Sequence, residues 1–112
     1  MELNVLRADD SITHVVMLGR LDIEGVNRIA DPFVFATAAR RRATLVDLSQ
    51  VTFVASLGMS LLIGAAKALQ RHGSKMVLLG PTPLVEQALR VAGVDRVIPI
   101  AQAESEALEL LR

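Results

Sequence analysis

Asp47-Leu48-Ser49-Gln50-Val51-Thr52-Phe53-Val54-Ala55-Ser56-Leu57-Gly58-Met59 decides how this sequence is read. Just before it, Thr44 to Leu48 is short and mostly apolar, as a strand covered on both faces would be. Just after it, Ser56 to His72 carries the clearest helical pattern in the chain. Gly58, Leu61, Leu62, Ala65 and Leu69 define one apolar face, and Ser60, Gly64, Lys67 and Arg71 a polar stripe. Gly73 closes that helix as a left-handed residue. Ser49 to Ala55 reads as a connection or as an extension of the strand. A buried strand feeding a helix is the unit from which α/β domains are built.

Working outward, Lys75 to Leu79 is a further buried strand. Thr82-Pro83 signals a capped helix start, and Leu84, Val85, Ala88, Leu89 and Ala92 form that helix's apolar face up to Gly93. Val97 to Ile100 reads as a last strand and Glu104 to Leu111 as a C-terminal helix burying Ala107, Leu108 and Leu111. Toward the N-terminus, Leu3 to Arg7 and Thr13 to Leu18 are strand candidates on either side of the turn cluster Asp9-Asp10-Ser11. The gap is too short for a helix, so the two strands pair as an antiparallel hairpin. In Gly19 to Ala30 the apolar residues have mixed spacing, which suggests a loop leading into a helical turn. Asp31-Pro32 then reads as cap and first residue of a helix that ends in Arg40-Arg41-Arg42. The expected fold is a single α/β domain over residues 1–112. Its mixed sheet has an antiparallel N-terminal hairpin followed by parallel strands, flanked by about four helices.

Composition narrows the function. The 112 residues are 52% hydrophobic and 3% aromatic, so the core is built of Leu, Val, Ile and Ala rather than rings. Net charge is zero, which gives no basic field for nucleic acid. The arginine run reads as a solvated helix end. There is no cysteine, which excludes disulfides, thiolate catalysis and Cys-ligated zinc. Met1-Glu2-Leu3-Asn4 lacks the pattern of a signal peptide, and Leu57 to Ala66 is too short to span a bilayer. A cytoplasmic protein with no direct membrane insertion is expected.

No Walker-type loop and no GxGxxG follows a strand. His14 and His72 lie far apart without ligand-like neighbours, so neither a metal site nor a cofactor is expected. Asp9, Asp10, Asp47 and Lys75 superficially match a phospho-accepting receiver. A receiver, however, needs a helix between its first two strands, and there is no room for one here. Ser56, in contrast, falls at or beside a helix N-cap, where free N–H groups and the positive end of the helix dipole gather. The ordinary role of such a serine is capping, worth about 1 kcal/mol. For Gly58 the ordinary role is close helix–sheet packing, and for Asp47 a turn bonded to its own loop.

Asp47-Leu48-Ser49, Val51, Phe53, Ser56 and Gly58 resemble the signature of STAS domains, the group named for sulfate transporters and anti-sigma factor antagonists. Gly19-Arg20-Leu21-Asp22 resembles that family's Gly-x-Leu-Asp segment, and the likeness covers nearly the whole chain. The resemblance implies a non-catalytic regulatory protein that binds an anti-sigma factor. That factor would be a serine kinase of the histidine-kinase-like ATPase type, opposed by a PP2C-type phosphatase. It implies Ser56 as phosphoacceptor, Asp22 at the partner-binding surface, and Asp47, Ser49 and Phe53 as motif residues. The family's acceptor is commonly preceded by Asp and followed by Ser. Here Ala55 and Leu57 replace them, removing a charge and leaving Ala55, Leu57, Gly58 and Met59 as a more apolar contact set around Ser56. An alternative within the family is a cytoplasmic accessory subunit of a lipid-transporting ABC transporter, binding its ATPase through the same surface.

Overall fold

Asp9 sets the first turn of the chain. Its carboxylate accepts the Ser11 and Ile12 N–H groups at 2.9 Å each and the Arg7 guanidinium at 2.6 Å. The Arg7 guanidinium, then those N–H groups, hold the carboxyl well below the usual range. This turn joins β1 (Glu2–Ala8) to β2 (Ile12–Leu21) as the antiparallel hairpin the spacing predicts. The computed structural model describes all residues from Met1 to Arg112. After the hairpin come α1 (Ile23–Ala36), β3 (Ala43–Val54), α2 (Ser56–Arg71) and β4 (Met76–Leu79). The chain ends with α3 (Pro83–Val91), β5 (Ile100–Ala101) and α4 (Glu104–Leu110). Short 3-10 turns occupy Ala38–Arg40 and Val94–Arg96.

The five strands form one mixed sheet in the order β1-β2-β3-β4-β5. Every pair after the first is parallel, so the chain returns through a helix or helical turns each time. On one face, Met17, Leu21, Val46, Leu48 and Leu78 pack against Phe33 of α1, Leu62 and Leu69 of α2 and Leu89 of α3. On the other, Leu45, Val77, Leu79 and Ala101 meet Ala107 of the short α4. Phe33 is the only one of the three phenylalanines in the core; Phe35 and Phe53 lie on the surface. No helix is long and apolar enough to cross a membrane.

Four local expectations are corrected, and the open reading of Ser49 to Ala55 is decided in favour of a strand extension. The helix after β2 starts nine residues earlier than Asp31-Pro32 suggests, at Ile23, and Pro32 lies inside it. Val26, Ile29, Phe33 and Ala36 are its buried stripe at 3-4-3 spacing. Pro32 removes only the bond to the carbonyl of Arg28, and both residues face solvent, where water can replace it. The helix also ends before the arginine run. Arg40 is tied inward, to Thr13 Oγ1 at 3.1 Å and the Asp9 carbonyl at 2.9 Å.

Ser49 to Val54 is strand, and it carries two extra residues relative to β2. Between Val16/Asp47 and Leu18/Gln50, β3 advances three residues while β2 advances two. Between Gly19/Val51 and Arg20/Phe53 it advances two against one. The buried side chains beyond Asp47 therefore recur every third residue, at Leu48, Val51 and Val54, instead of every second. The last strand is shifted to Ile100–Ala101, because the Val97 and Ile98 N–H groups donate back to the Val94 carbonyl of the 3-10 turn and Pro99, with no N–H, only accepts, from Leu78 N–H at 2.9 Å. In the outer helices the apolar faces are incompletely covered: Leu84 of α3 and Leu108 of α4 are exposed.

Candidate functional site

Two helices begin side by side at the end of β2. Its last residues, Arg20 and Leu21, pair with Phe53 and Val54 at the end of β3, and the Ala55 N–H donates to the Leu21 carbonyl at 2.9 Å. Both helices come so close that only glycine fits. A Cβ on Gly25 would stand 2.2 Å from the Arg20 carbonyl oxygen. One on Gly58 would stand 2.6 Å from Leu21 Cγ and 2.9 Å from its carbonyl oxygen. The packing role foreseen for Gly58 is therefore present, and it is buried. Gly25 was not foreseen; its signal is a glycine three residues after an acidic residue inside an apolar stretch.

The two starts are finished differently. Asp22 is the N-cap of α1, and its Oδ1 accepts the Gly25 N–H at 2.8 Å. That bond is the main reason its carboxyl sits below the usual value, with Arg20 adding to it and desolvation opposing. Ala55 occupies the cap of α2 and offers no side-chain acceptor. Ser56 is the first residue of the helix rather than its cap. It is exposed, and no intramolecular hydrogen bond ties its hydroxyl down. The capping role considered for Ser56 is thus not what it performs.

Around Ser56 the surface is apolar with an acidic margin. Asp22, Ile23, Glu24, Phe53 and Ala55 line one shallow depression. Ile23 is 66% exposed, Leu57 45% and Phe53 40%, high values for such side chains. The Arg20 guanidinium lies over the Phe53 ring, 4.4 Å from its centroid, and its Nε is 3.4 Å from Asp22 Oδ2. Met59 is half-buried against the core. Ile23 and Glu24 carry no site signal in the sequence, and Arg20 only its place in Gly19-Arg20-Leu21-Asp22, because the β2–β3 register and the start of α1 are what bring them beside residues 53–55.

Asp47 and Ser49 lie apart from this group. The Ser49 N–H donates to Asp47 Oδ1 at 2.8 Å, an Asx bond within the first irregularity of β3, so Asp47 has the local role its residue type suggests. The antiparallel first pair of strands rules out the receiver topology. His14 and His72 are not brought together. His14 Nδ1 is 3.9 Å from Glu104 and its Nε2 is buried without a partner, while His72 is exposed at the end of α2. No three His, Cys, Asp or Glu side chains are grouped so as to hold a metal.

Known proteins resemble the chain over nearly its full length. The anti-sigma-B factor antagonist of Listeria monocytogenes is 20% identical over 106 residues, 95% of this chain and 93% of that protein. The structure of an anti-sigma-factor antagonist (STAS) domain protein from Planctomyces limnophilus superposes with a TM-score of 0.83 at 26% identity, covering 98% of this chain and 97% of that one. The Bacillus cell fate determinant SpoIIAA in its phosphorylated form superposes with a TM-score of 0.70 at 18% identity, covering 99% and 100%. The STAS domain profile matches residues 5–107. The chain therefore belongs to the STAS domain family.

Proposed function

We propose that residues 1–112 act as one unit, a non-catalytic antagonist of an anti-sigma factor that docks its partner through the start of α2. The observation that carries this reading is the free, exposed Ser56 hydroxyl at a helix start, between exposed Leu57 and Ala55, which lines one depression with Ile23 and Phe53. The name of the Listeria relative and the phosphorylated state of the Bacillus relative support it. The partner is a serine kinase of the histidine-kinase-like ATPase type. Ser56 Oγ attacks the γ-phosphorus of ATP, the bond to the ADP oxygen breaks, and the hydroxyl proton leaves to a base of the kinase. A PP2C-type phosphatase reverses the step by hydrolysis. Both partners place the protein in the cytoplasm.

The switch is electrostatic. Phosphorylation adds about −1.5 to −2 charges at residue 56. Next to Asp22 and Glu24, and against the apolar surface that the partner covers, that charge is unfavourable to bury, so the complex separates. Capture of partners on immobilised wild-type, Ser56→Ala and Ser56→Glu protein, with phosphosite mapping after incubation with the captured kinase and ATP, tests the reading. Ser56→Ala is expected to retain the kinase and Ser56→Glu to bind at least about tenfold more weakly, about 1.4 kcal/mol. Equal retention by both variants defeats the charge switch.

Ala55 and exposed Leu57 favour one second reading, in which the same apolar surface binds the ATPase of a lipid-transporting ABC transporter. Capture of that ATPase, with binding indifferent to Ser56→Glu, would select it.

A further inference from the structure

We propose that Arg20 is the side chain that reads the state of Ser56: it rests on Phe53 beside Asp22 while the serine is unmodified, and moves to the phosphate once it is phosphorylated. This rests on the functional reading above and adds to it a named internal responder.

Position comes first. Arg20 immediately precedes Leu21, and the first turn of α2 is packed against Leu21, by the Ala55–Leu21 hydrogen bond at 2.9 Å and the close approach of Gly58. Arg20 faces Phe53 across the β2–β3 pair, three residues before Ser56. Arg20 lines a depression with Asp22, Glu24 and Arg28, and of the two arginines it is the one in contact with Asp22 and with Phe53.

Mobility comes second. The Arg20 side chain is 60% exposed, and its two contacts are a long pair with Asp22 at 3.4 Å and the ring at 4.4 Å. Exposed pairs of this kind are weak in water. Asp22 does not depend on Arg20 for its place, because the Gly25 N–H holds it at 2.8 Å. A phosphate offers a planar guanidinium two parallel charge-assisted bonds and more charge than one carboxylate. It would also be set beside two carboxylates, so the surface gains by moving its cation toward residue 56. One modification then alters the surface twice. Charge appears at Ser56, and the Phe53 ring loses its cationic cover.

The test needs no kinase. Phosphoserine is installed at position 56 by genetic encoding in the wild-type, Arg20→Gln and Arg20→Lys backgrounds, and the phosphate is titrated by phosphorus NMR. Its second pKa is expected to be about 0.5 to 1 lower with arginine than with glutamine, with lysine between them. Phe53 ring signals are expected to move on phosphorylation in the wild type and to stay in place in Arg20→Gln. The same second pKa with arginine and with glutamine overturns the proposal. Because phosphate is installed directly, that failure is distinct from failure of the functional reading, which is decided by partner capture alone.

Discussion

The starts of α1 and α2 are neighbours built on the same strand end, and they differ in what they leave open. At α1, Asp22 accepts the Gly25 N–H and the first turn is closed by its own side chain. At α2, Ala55 supplies nothing, and Ser56 faces outward with its hydroxyl free. Each helix is fixed in place by a glycine against Arg20 or Leu21. Position is therefore secured at both starts by close approach, while capping is present at only one. A helix start held by packing can do without a cap, and its donors then remain available to whatever meets the surface.

The largest break in this comparison comes from the glycines. Gly25→Ala is expected to destabilise by about 3 kcal/mol or more, since the new Cβ meets a backbone oxygen that cannot swing away. In thermal melts this is a loss of more than about 10 °C for a domain of this size. Gly58→Ala is expected to cost less, about 1–3 kcal/mol, because part of its clash is with the Leu21 side chain. A melt unchanged in either variant would show that the close approach does not fix the helices.

Ala55→Asp sharpens the comparison from the other side by giving α2 the cap that α1 already has. The expected gain is about 0.5–1 kcal/mol, read as a rise of a few degrees in Tm. It should leave α1 unaffected in hydrogen exchange. The smallest effect is on pH. The carboxyl of Asp22 titrates lower in the folded chain than unfolded, so its stabilisation is complete above the ordinary carboxylate pKa. That stabilisation is lost as pH falls through the lowered folded value. The Tm difference between wild type and Asp22→Ala should be present at neutral pH and shrink in strong acid, with Asp22→Asn close to wild type at pH 7 because asparagine also caps. A difference independent of pH would mean that Asp22 acts without its charge.

Much of the fold was legible because periodicity and punctuation agreed. Ser56 to Gly73 shows helix, stop and polar stripe in register, and Gly73 has the positive φ of +78° that its position predicts. Where the signals conflicted, the wrong one was easy to follow. Pro32 reads as a helix start, yet it sits on the solvent side of a helix whose buried stripe, Val26-Ile29-Phe33-Ala36, was obscured by Leu21 and Ile23 just ahead. Residues 49–54 alternate by three, which matches neither a strand nor a helix, because two extra residues in β3 each shift the facing. The candidate site was half legible. Ser56, Leu57 and Gly58 are contiguous in sequence, but Arg20, Ile23 and Glu24 join them only through pairing across 33 residues, as in Arg20 with Phe53.

The strands lie in the sheet in the same order as in the chain. Each new strand thus has its docking edge already in place when it is made, and none must be threaded between earlier ones. Emerging from a ribosome, the polypeptide can grow its sheet by accretion at a single margin. The last piece added, β5 with α4, closes the second face of the sheet, so until it is made Leu45, Val77 and Leu79 stay uncovered while most of the first face is already packed.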